Sequence, residues 1–327
     1  MLRVGLIGCG FMGSMHANCY KNIEGATVTA VADVRPEKAA ELAKLSDAEI
    51  YSTGKELIEN AKVDIIDICL PTYLHAEHAL LAMDKVKYVF VEKPVALTKE
   101  EGKKLIEKAE KCGAQVQVGQ VVRFFDEYAA LAEMIKDERY GKVVNANFRR
   151  LSPIPLWGFE NWLLDPNRSG GAGQDLHIHD VDYALSVFGK PNKIWSVKNA
   201  LGTENDYVNT IMQYDGFVVS AEGTWALPES YPFTASFRVV FEKATVENGG
   251  GKFMKYSGSD AEEIKLEKPE MTANYKGGNI SSLGGYFNEL LYFCTCAAAG
   301  KKIEKATLAD AVASLEFVLD ELCGASK

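Results

Sequence analysis

The chain has 327 residues, 47% of them hydrophobic and 25% charged, the balance of a globular protein with room for about two domains. A net charge of −9 and a pI near 5.3 exclude a surface built to hold nucleic acid or anionic membrane. No apolar run approaches the roughly 20 residues that span a bilayer. The seven cysteines (Cys9, Cys19, Cys69, Cys112, Cys294, Cys296 and Cys323) are odd in number, scattered, and mostly set in apolar runs. Reduced, buried thiols and a cytoplasmic location follow as the expectation. Cys294-x-Cys296 has no histidine or second cysteine pair near it, so it reads as helix core rather than a metal site.

In chain order, the first apolar run, Leu2–Ile7, is too short for the core of a signal peptide. It leads directly into Gly8-Cys9-Gly10-Phe11-Met12-Gly13, a G-x-G-x-x-G turn that opens a helix near Met12. The first glycine allows the tight turn, the second a close approach of pyrophosphate, the third close packing of helix on strand. The next strand, Thr27–Ala32, ends in Asp33, where a ribose-binding carboxylate is expected. The cofactor expectation is therefore NAD. Arg35 keeps NADP open, since a nearby Arg can accommodate a 2′-phosphate.

Helices are predicted over Pro36–Leu45 and Ser52–Ala61, then a strand over Val63–Leu70 that stops at Pro71-Thr72. A helix follows over Ala76–Met83, and a strand over Lys87–Val91 stops at Glu92-Lys93-Pro94. Thr98 caps a helix running to Cys112 that Gly113 ends, and Gln115–Val118 is the next strand. This alternation predicts a doubly wound parallel sheet over residues 1–119. Residues 120–327 read as an α+β domain for substrate and oligomer contacts. It holds a helix over Asp126–Lys136, a strand over Lys142–Leu151 and an irregular stretch over Ile154–Arg168. A helix over Gln174–Phe188 comes next. Strands follow at Lys193–Ala200, Tyr207–Tyr214, Phe217–Trp225, Ser236–Phe241, Ala244–Glu247, Phe253–Tyr256 and Glu263–Leu266, making a mostly antiparallel sheet. Helices over Leu283–Ala299 and Thr307–Leu322 close the chain.

Ligands of a doubly wound sheet bind beyond the carboxyl ends of its strands. Pro71, Thr72, His75, Glu92 and Lys93 stand at those ends. With Gly8, Cys9, Gly10, Phe11, Met12, Gly13, Asp33 and Arg35 they form the expected cofactor-binding set. Pro94 keeps Lys93 out of helical geometry, so Lys93 is held where it can be partly desolvated and share a proton. After Gly170-Gly171-Ala172-Gly173, the residues Asp175, His179, Asp182 and Ser186 fall on one helical stripe. A histidine flanked by carboxylates suits a general base. His177 and His179 point to different faces, and His75 and His78 lack a carboxylate cluster, so no metal is expected. Arg123, Arg150, Trp157, Trp162 and Tyr286 are candidate substrate contacts, with Thr72 and His75 able to join them.

Three of these motifs together resemble the glucose–fructose oxidoreductase and inositol dehydrogenase family (Gfo/Idh/MocA): Gly8–Gly13, Glu92-Lys93-Pro94, and the glycine-rich loop followed by Asp175 and His179. The resemblance covers nearly the whole chain. It implies a Rossmann domain followed by a domain with a large, mostly antiparallel sheet often used for a homodimer or homotetramer. It also implies NAD or NADP chemistry on sugars, polyols or inositol-like secondary alcohols, with Lys93, Asp175 and His179 at the catalytic positions. Many members carry glycine between that Asp and His; here the residue is His177, which weakens an assignment to inositol in particular. Two alternatives stay open: a reductase of a dihydrodiol, dicarbonyl or biliverdin-like substrate, and an NAD-binding redox sensor without turnover. A methyltransferase reading of the glycine turn is disfavoured by Glu92-Lys93-Pro94 and the later Asp/His pair.

Overall fold

The computed structural model describes residues 1–201, 206–266 and 283–324. The described residues fall into two compact units, one formed by 1–124 with 283–313 and the other by 125–266 with 314–324.

The first unit carries six strands: β1 (Leu2–Ile7), β2 (Ala26–Ala32), β3 (Glu49–Tyr51), β4 (Ile65–Ile68), β5 (Tyr88–Val91) and β6 (Gln115–Val118). They pair in parallel in the order β3-β2-β1-β4-β5-β6. The order reverses between β1 and β4, which is where doubly wound sheets open a ligand crevice at the carboxyl edge. All four residues of β4 and of β5 are buried, as strands covered on both faces must be. The helix Lys99–Cys112 starts with a full capping box, Thr98 with Glu101, and ends on Gly113 in the left-handed region. The helix Gly284–Ala298 also belongs here: Leu290 and Phe293 join the core of β1, β2, β4 and β5, and the rings of Phe90 and Phe293 meet at 5.4 Å. The sequence places one boundary at 119/120, whereas the chain returns to this unit near its end. An amphipathic pattern announces a helix but not the sheet that receives it.

The second unit has β7 (Val143–Pro153), β8 (Lys193–Asn199), β9 (Tyr207–Tyr214), β10 (Phe217–Leu227), β11 (Thr234–Phe241), β12 (Thr245–Gly249), β13 (Lys252–Ser257) and β14 (Asp260–Glu263). Their order is β14-β13-β12-β11-β7-β10-β9-β8, antiparallel except between β7 and β10. Residues of the helix Ile178–Phe188 lie against β7 and β10. The rings of Tyr128, Phe148, Tyr183 and Phe237 interlock beside them at centroid distances of 4.9–6.2 Å. Two expectations shift. The last strand lies at Asp260–Glu263, not Glu263–Leu266, because Ser257 pairs directly with Asp260 and that tight turn sets the register. The helix predicted over Gln174–Phe188 is a π turn, Gly173–His177, followed by an α-helix from Ile178.

Candidate functional site

The nucleotide half of the site is built on β1. Gly8 sits at φ +95°, and a Cβ on Gly13 would stand 1.8 Å from the Gly8 carbonyl oxygen, so only glycine lets the helix Phe11–Tyr20 start this close to the turn. Around Gly10 a Cβ would meet nothing nearer than the Arg35 guanidinium, at 3.6 Å. The turn therefore offers a backbone cradle at a helix N-terminus, which suits a pyrophosphate. Asp33 is buried. It accepts from the Cys9 main-chain N–H at 2.8 Å and from Arg35 through Nε and Nη2, both at 2.9 Å. Burial works to raise the Asp33 pKa, but the hydrogen bonds from Arg35 and Cys9 outweigh it and hold the carboxyl below its ordinary value. Arg35 is thus presented at the glycine turn by the same carboxylate that the sequence assigned to the ribose.

At the carboxyl edge of β4 and β6, two buried polar groups have no hydrogen-bond partner among the described residues: the Thr72 hydroxyl and both ends of the Gln120 amide. Orphaned buried polar atoms call for an explanation, and a polar cofactor at this edge supplies one. Sequence reasoning named Thr72 but missed Gln120. The available signal was its place two residues beyond the end of β6. His75 was expected at the cofactor, yet its Nδ1 lies 2.7 Å from the Pro94 carbonyl and its Nε2 2.6 Å from the Leu70 carbonyl. It braces the two loops that carry Pro71-Thr72 and Lys93. Lys93 itself is half-buried at the end of β5, in a cis Lys93–Pro94 unit, and its main-chain N–H donates to Glu92 Oε2 at 3.1 Å.

Glu92 is not displayed to a cofactor; it points into the core. His16, wholly buried on the helix Phe11–Tyr20, stands between Asp67 Oδ2 at 2.8 Å from Nδ1 and Glu92 Oε1 at 3.0 Å from Nε2. Tyr20 also donates to Asp67, at 3.0 Å. His16, Asp67, Cys69 and Glu289 were not singled out from the sequence. They lie on three separate segments, and nothing local marks their convergence. Of the other expected contacts in this unit, Arg123 is paired with Asp310 at 3.0 Å, and Tyr286 is partly buried against the core.

In the second unit, Asp175 lies within the π turn and His179 in the first turn of the following helix, 9% exposed. The π turn alters the helical phase, so the four residues predicted on one helical stripe are not spaced along a single regular helix. Asp182 is wholly buried and accepts from Ser314 Oγ at 2.8 Å, and Ser186 Oγ donates to the Tyr183 carbonyl at 2.7 Å. A π turn of this kind often marks a functional site. His177 faces inward, its Nε2 2.9 Å from Glu321 Oε1. It fits because position 223 is glycine: a Cβ there would stand 2.7 Å from His177 Cβ. Arg150 is a correction. Its side chain is 5% exposed and grips Asp180 with Nε and Nη2, both at 3.0 Å, so it holds the core together instead of facing substrate. Trp157 is 56% exposed, whereas Trp162 packs against Leu163, Ala172 and Trp225. Cys294 and Cys296 are buried in their helix as expected; Cys112 and Cys323 are exposed, unlike the buried majority.

A parallel sheet in this order, a glycine cradle at a helix start and an acid closing the second strand define a Rossmann-type dinucleotide-binding protein. Residues 2–120 match the family described as "Oxidoreductase family, NAD-binding Rossmann fold", and residues 128–247 match the GFO/IDH/MocA C-terminal domain. The chain belongs to the Gfo/Idh/MocA oxidoreductase family, and its N-terminal domain is NAD-binding. It is 33% identical to a myo-inositol 2-dehydrogenase of Thermotoga maritima over 193 residues, 58% of this chain and 55% of that enzyme. It is 29% identical to an inositol 2-dehydrogenase of Arthrobacter over 262 residues, 77% of this chain and 74% of the relative. The match to the first relative thus spans little more than half of its length. An oxidoreductase from Agrobacterium radiobacter, crystallised with NAD+, L-tartaric acid and magnesium, superposes with a TM-score of 0.86 over 98% of this chain and 96% of its own, at 16% identity. That likeness shows the fold. No helix of the described residues is long and apolar enough to cross a membrane.

Proposed function

We propose that the protein is an NAD-dependent dehydrogenase that oxidises a secondary alcohol of a sugar, polyol or inositol-like substrate, or reduces the matching ketone. The observation that carries this reading is Lys93, half-buried at the carboxyl end of β5 on the NAD-binding sheet. The inositol dehydrogenases among the relatives support the substrate class. NAD supplies the hydride acceptor when bound. Lys93 donates a hydrogen bond to the reacting oxygen and stabilises its developing negative charge. His179 takes the hydroxyl proton as general base, and Asp175 orients the substrate. Gly8, Cys9, Gly10, Phe11, Met12 and Gly13 seat the pyrophosphate, and Pro71, Thr72 and Gln120 line the cofactor edge. Asp33 favours NAD. Arg35, already at the turn, is the group that would accept a 2′-phosphate.

His179→Ala is expected to lose turnover by about 10²–10⁴-fold, the usual worth of general-base help, while NADH still binds by fluorescence. Turnover close to the parent's would remove His179 from the mechanism. A panel of cyclitols and sugars with NAD+ and NADP+, followed at the nicotinamide band, tests the substrate class. NADH binding without turnover across the panel would favour the sensor reading. We also place a homodimer or homotetramer contact on the open face of the eight-stranded sheet. There Trp195 and Ile211, paired across β8 and β9, are exposed together with Val197.

A further inference from the structure

We propose that His16, Asp67 and Glu289 form a buried positioning device for Lys93, acting through the Glu92 carboxylate that accepts the Lys93 main-chain N–H. The proposal rests on the reading of Lys93 as the residue at the reacting oxygen. It concerns what holds Lys93 in place, which the glycine turn and the strand end do not explain.

The geometry runs in one line from the core to Lys93. Asp67 Oδ2 meets His16 Nδ1 at 2.8 Å, His16 Nε2 meets Glu92 Oε1 at 3.0 Å, and Glu92 Oε2 accepts from Lys93 N at 3.1 Å. A neutral imidazole has one N–H; with carboxylates on both nitrogens, the doubly protonated ring satisfies both contacts. Burial is the largest single influence and would lower the His16 pKa, but the charge interactions and hydrogen bonds with Asp67 and Cys69 together outweigh it and hold the imidazolium well above its ordinary value. Glu289 completes the cluster from the helix Gly284–Ala298. Its side chain is wholly buried, neither oxygen has a hydrogen-bond partner among the described residues, and its ligand atom lies within 4.8 Å of those of His16 and Glu92. Burial, and then the Glu92 charge, push the Glu289 pKa well up, so it stands as a neutral acid beside Glu92. As a neutral acid, Glu289 is a polar neighbour that adds no second negative charge beside Glu92. Glu92 is then held by the imidazolium through one oxygen, with a neutral polar side chain rather than a second charge buried beside it.

A divalent cation held by His16, Glu92 and Glu289 is the competing occupant. It is disfavoured because His16 Nε2 already stands at hydrogen-bond distance from Glu92 Oε1, a contact that needs a proton on the nitrogen rather than a bare lone pair. The titratable groups facing His16 are Cys19 on its own helix, Asp67 and Cys69 at β4, Glu92 after β5, and Glu289 on the helix Gly284–Ala298; Tyr20 and Cys294 in turn face Asp67. Both His16 and Glu289 bind their protons more tightly in the folded chain. For each, the stabilisation is complete below its unfolded value, 6.5 and 4.5, and is lost as pH rises through the raised folded value.

The test compares His16→Gln, Glu289→Leu, Glu289→Gln and Lys93→Met in the full chain, with NADH and the best substrate of the polyol panel. The expected result is a fall in kcat of about ten- to a hundredfold for His16→Gln and Glu289→Leu, as for other displaced reacting groups. KM and the NADH Kd stay within about twofold of the parent, because only the reacting group is displaced. Glu289→Gln, the neutral isostere, recovers most of the loss. It also flattens the decline of Tm from pH 6 to pH 9 relative to the parent, since it no longer has a proton to lose. An unaltered kcat in Glu289→Leu, or an equal loss in Glu289→Gln, overturns the proposal. So does a rise in Tm on adding Mn2+ or Zn2+ that Glu289→Gln abolishes. If His16→Gln does not fold, the two Glu289 variants decide. Turnover surviving in Lys93→Met would instead fail the reading of Lys93, which separates the two outcomes.

Discussion

Each unit buries a histidine near a residue proposed to act at the reacting oxygen, His16 through Glu92 to Lys93 and His177 two residues from His179, and the two rings are held in different ways. His16 is clamped through both nitrogens by carboxylates from the ends of β4 and β5, so its charge is its structural contribution. His177 reaches one carboxylate, Glu321, through Nε2, while its Nδ1 has no hydrogen-bond partner among the described residues. What seats it is shape, the space left by Gly223. On the reading proposed above, the first unit holds Lys93 electrostatically, beneath a strand end. The second fixes the start of its helix sterically, against a sheet. The difference suits the two proposed roles. Lys93 has to present a charge, whereas His179 has to be aimed.

An electrostatic seat and a steric seat respond differently to pH when they are removed. His16→Gln leaves Asp67 and Glu92 buried without their shared cation and is expected to cost about 3–5 kcal/mol, the range for breaking a buried ion pair. Urea unfolding at several pH values should show the loss shrinking as pH rises, because the parent itself gives up that proton. A loss that does not depend on pH would mean His16 is seated by shape, like His177. Gly223→Ala is expected to cost about 1–3 kcal/mol, the range for overpacking, with the same offset at every pH between 6 and 9. A pH-dependent offset would place the His177–Glu321 contact in the same electrostatic class as His16. The smallest effect is Thr98→Ala, which removes the capping box from a helix outside both networks. It should cost about 1 kcal/mol in the same unfolding assay, with activity and its pH dependence preserved. Thr98→Ala acts as the baseline for both.

The readable part of the fold was local. Gly8 to Gly13, the acid at Asp33, the cap at Thr98 and the stop at Gly113 all act over a few residues, and each is where the sequence puts it. The last strand was misplaced because its register comes from the Ser257–Asp260 turn and not from the apolar residues after it. Arg150 was misread because a basic side chain in a strand looks the same whether it faces substrate or a buried acid 30 residues away.

Neighbours along the chain specify the class, a parallel nucleotide-binding sheet with a mostly antiparallel partner sheet, and mark Lys93, Asp175 and His179 as the candidate reacting groups. These follow from periodicity, turn residues and motif spacing, which depend only on neighbours along the chain. Only the tertiary structure decided that the helix Gly284–Ala298 returns to the first unit and delivers Glu289 to the cluster at Glu92. Only it decided that His177 turns inward over Gly223, and that Asp33 is shared between the glycine turn and Arg35. Those outcomes depend on desolvation and on contacts between segments far apart in the chain. Burial turns an ordinary histidine or glutamate into a clamp, and burial is a property of the packed molecule rather than of any stretch of its sequence.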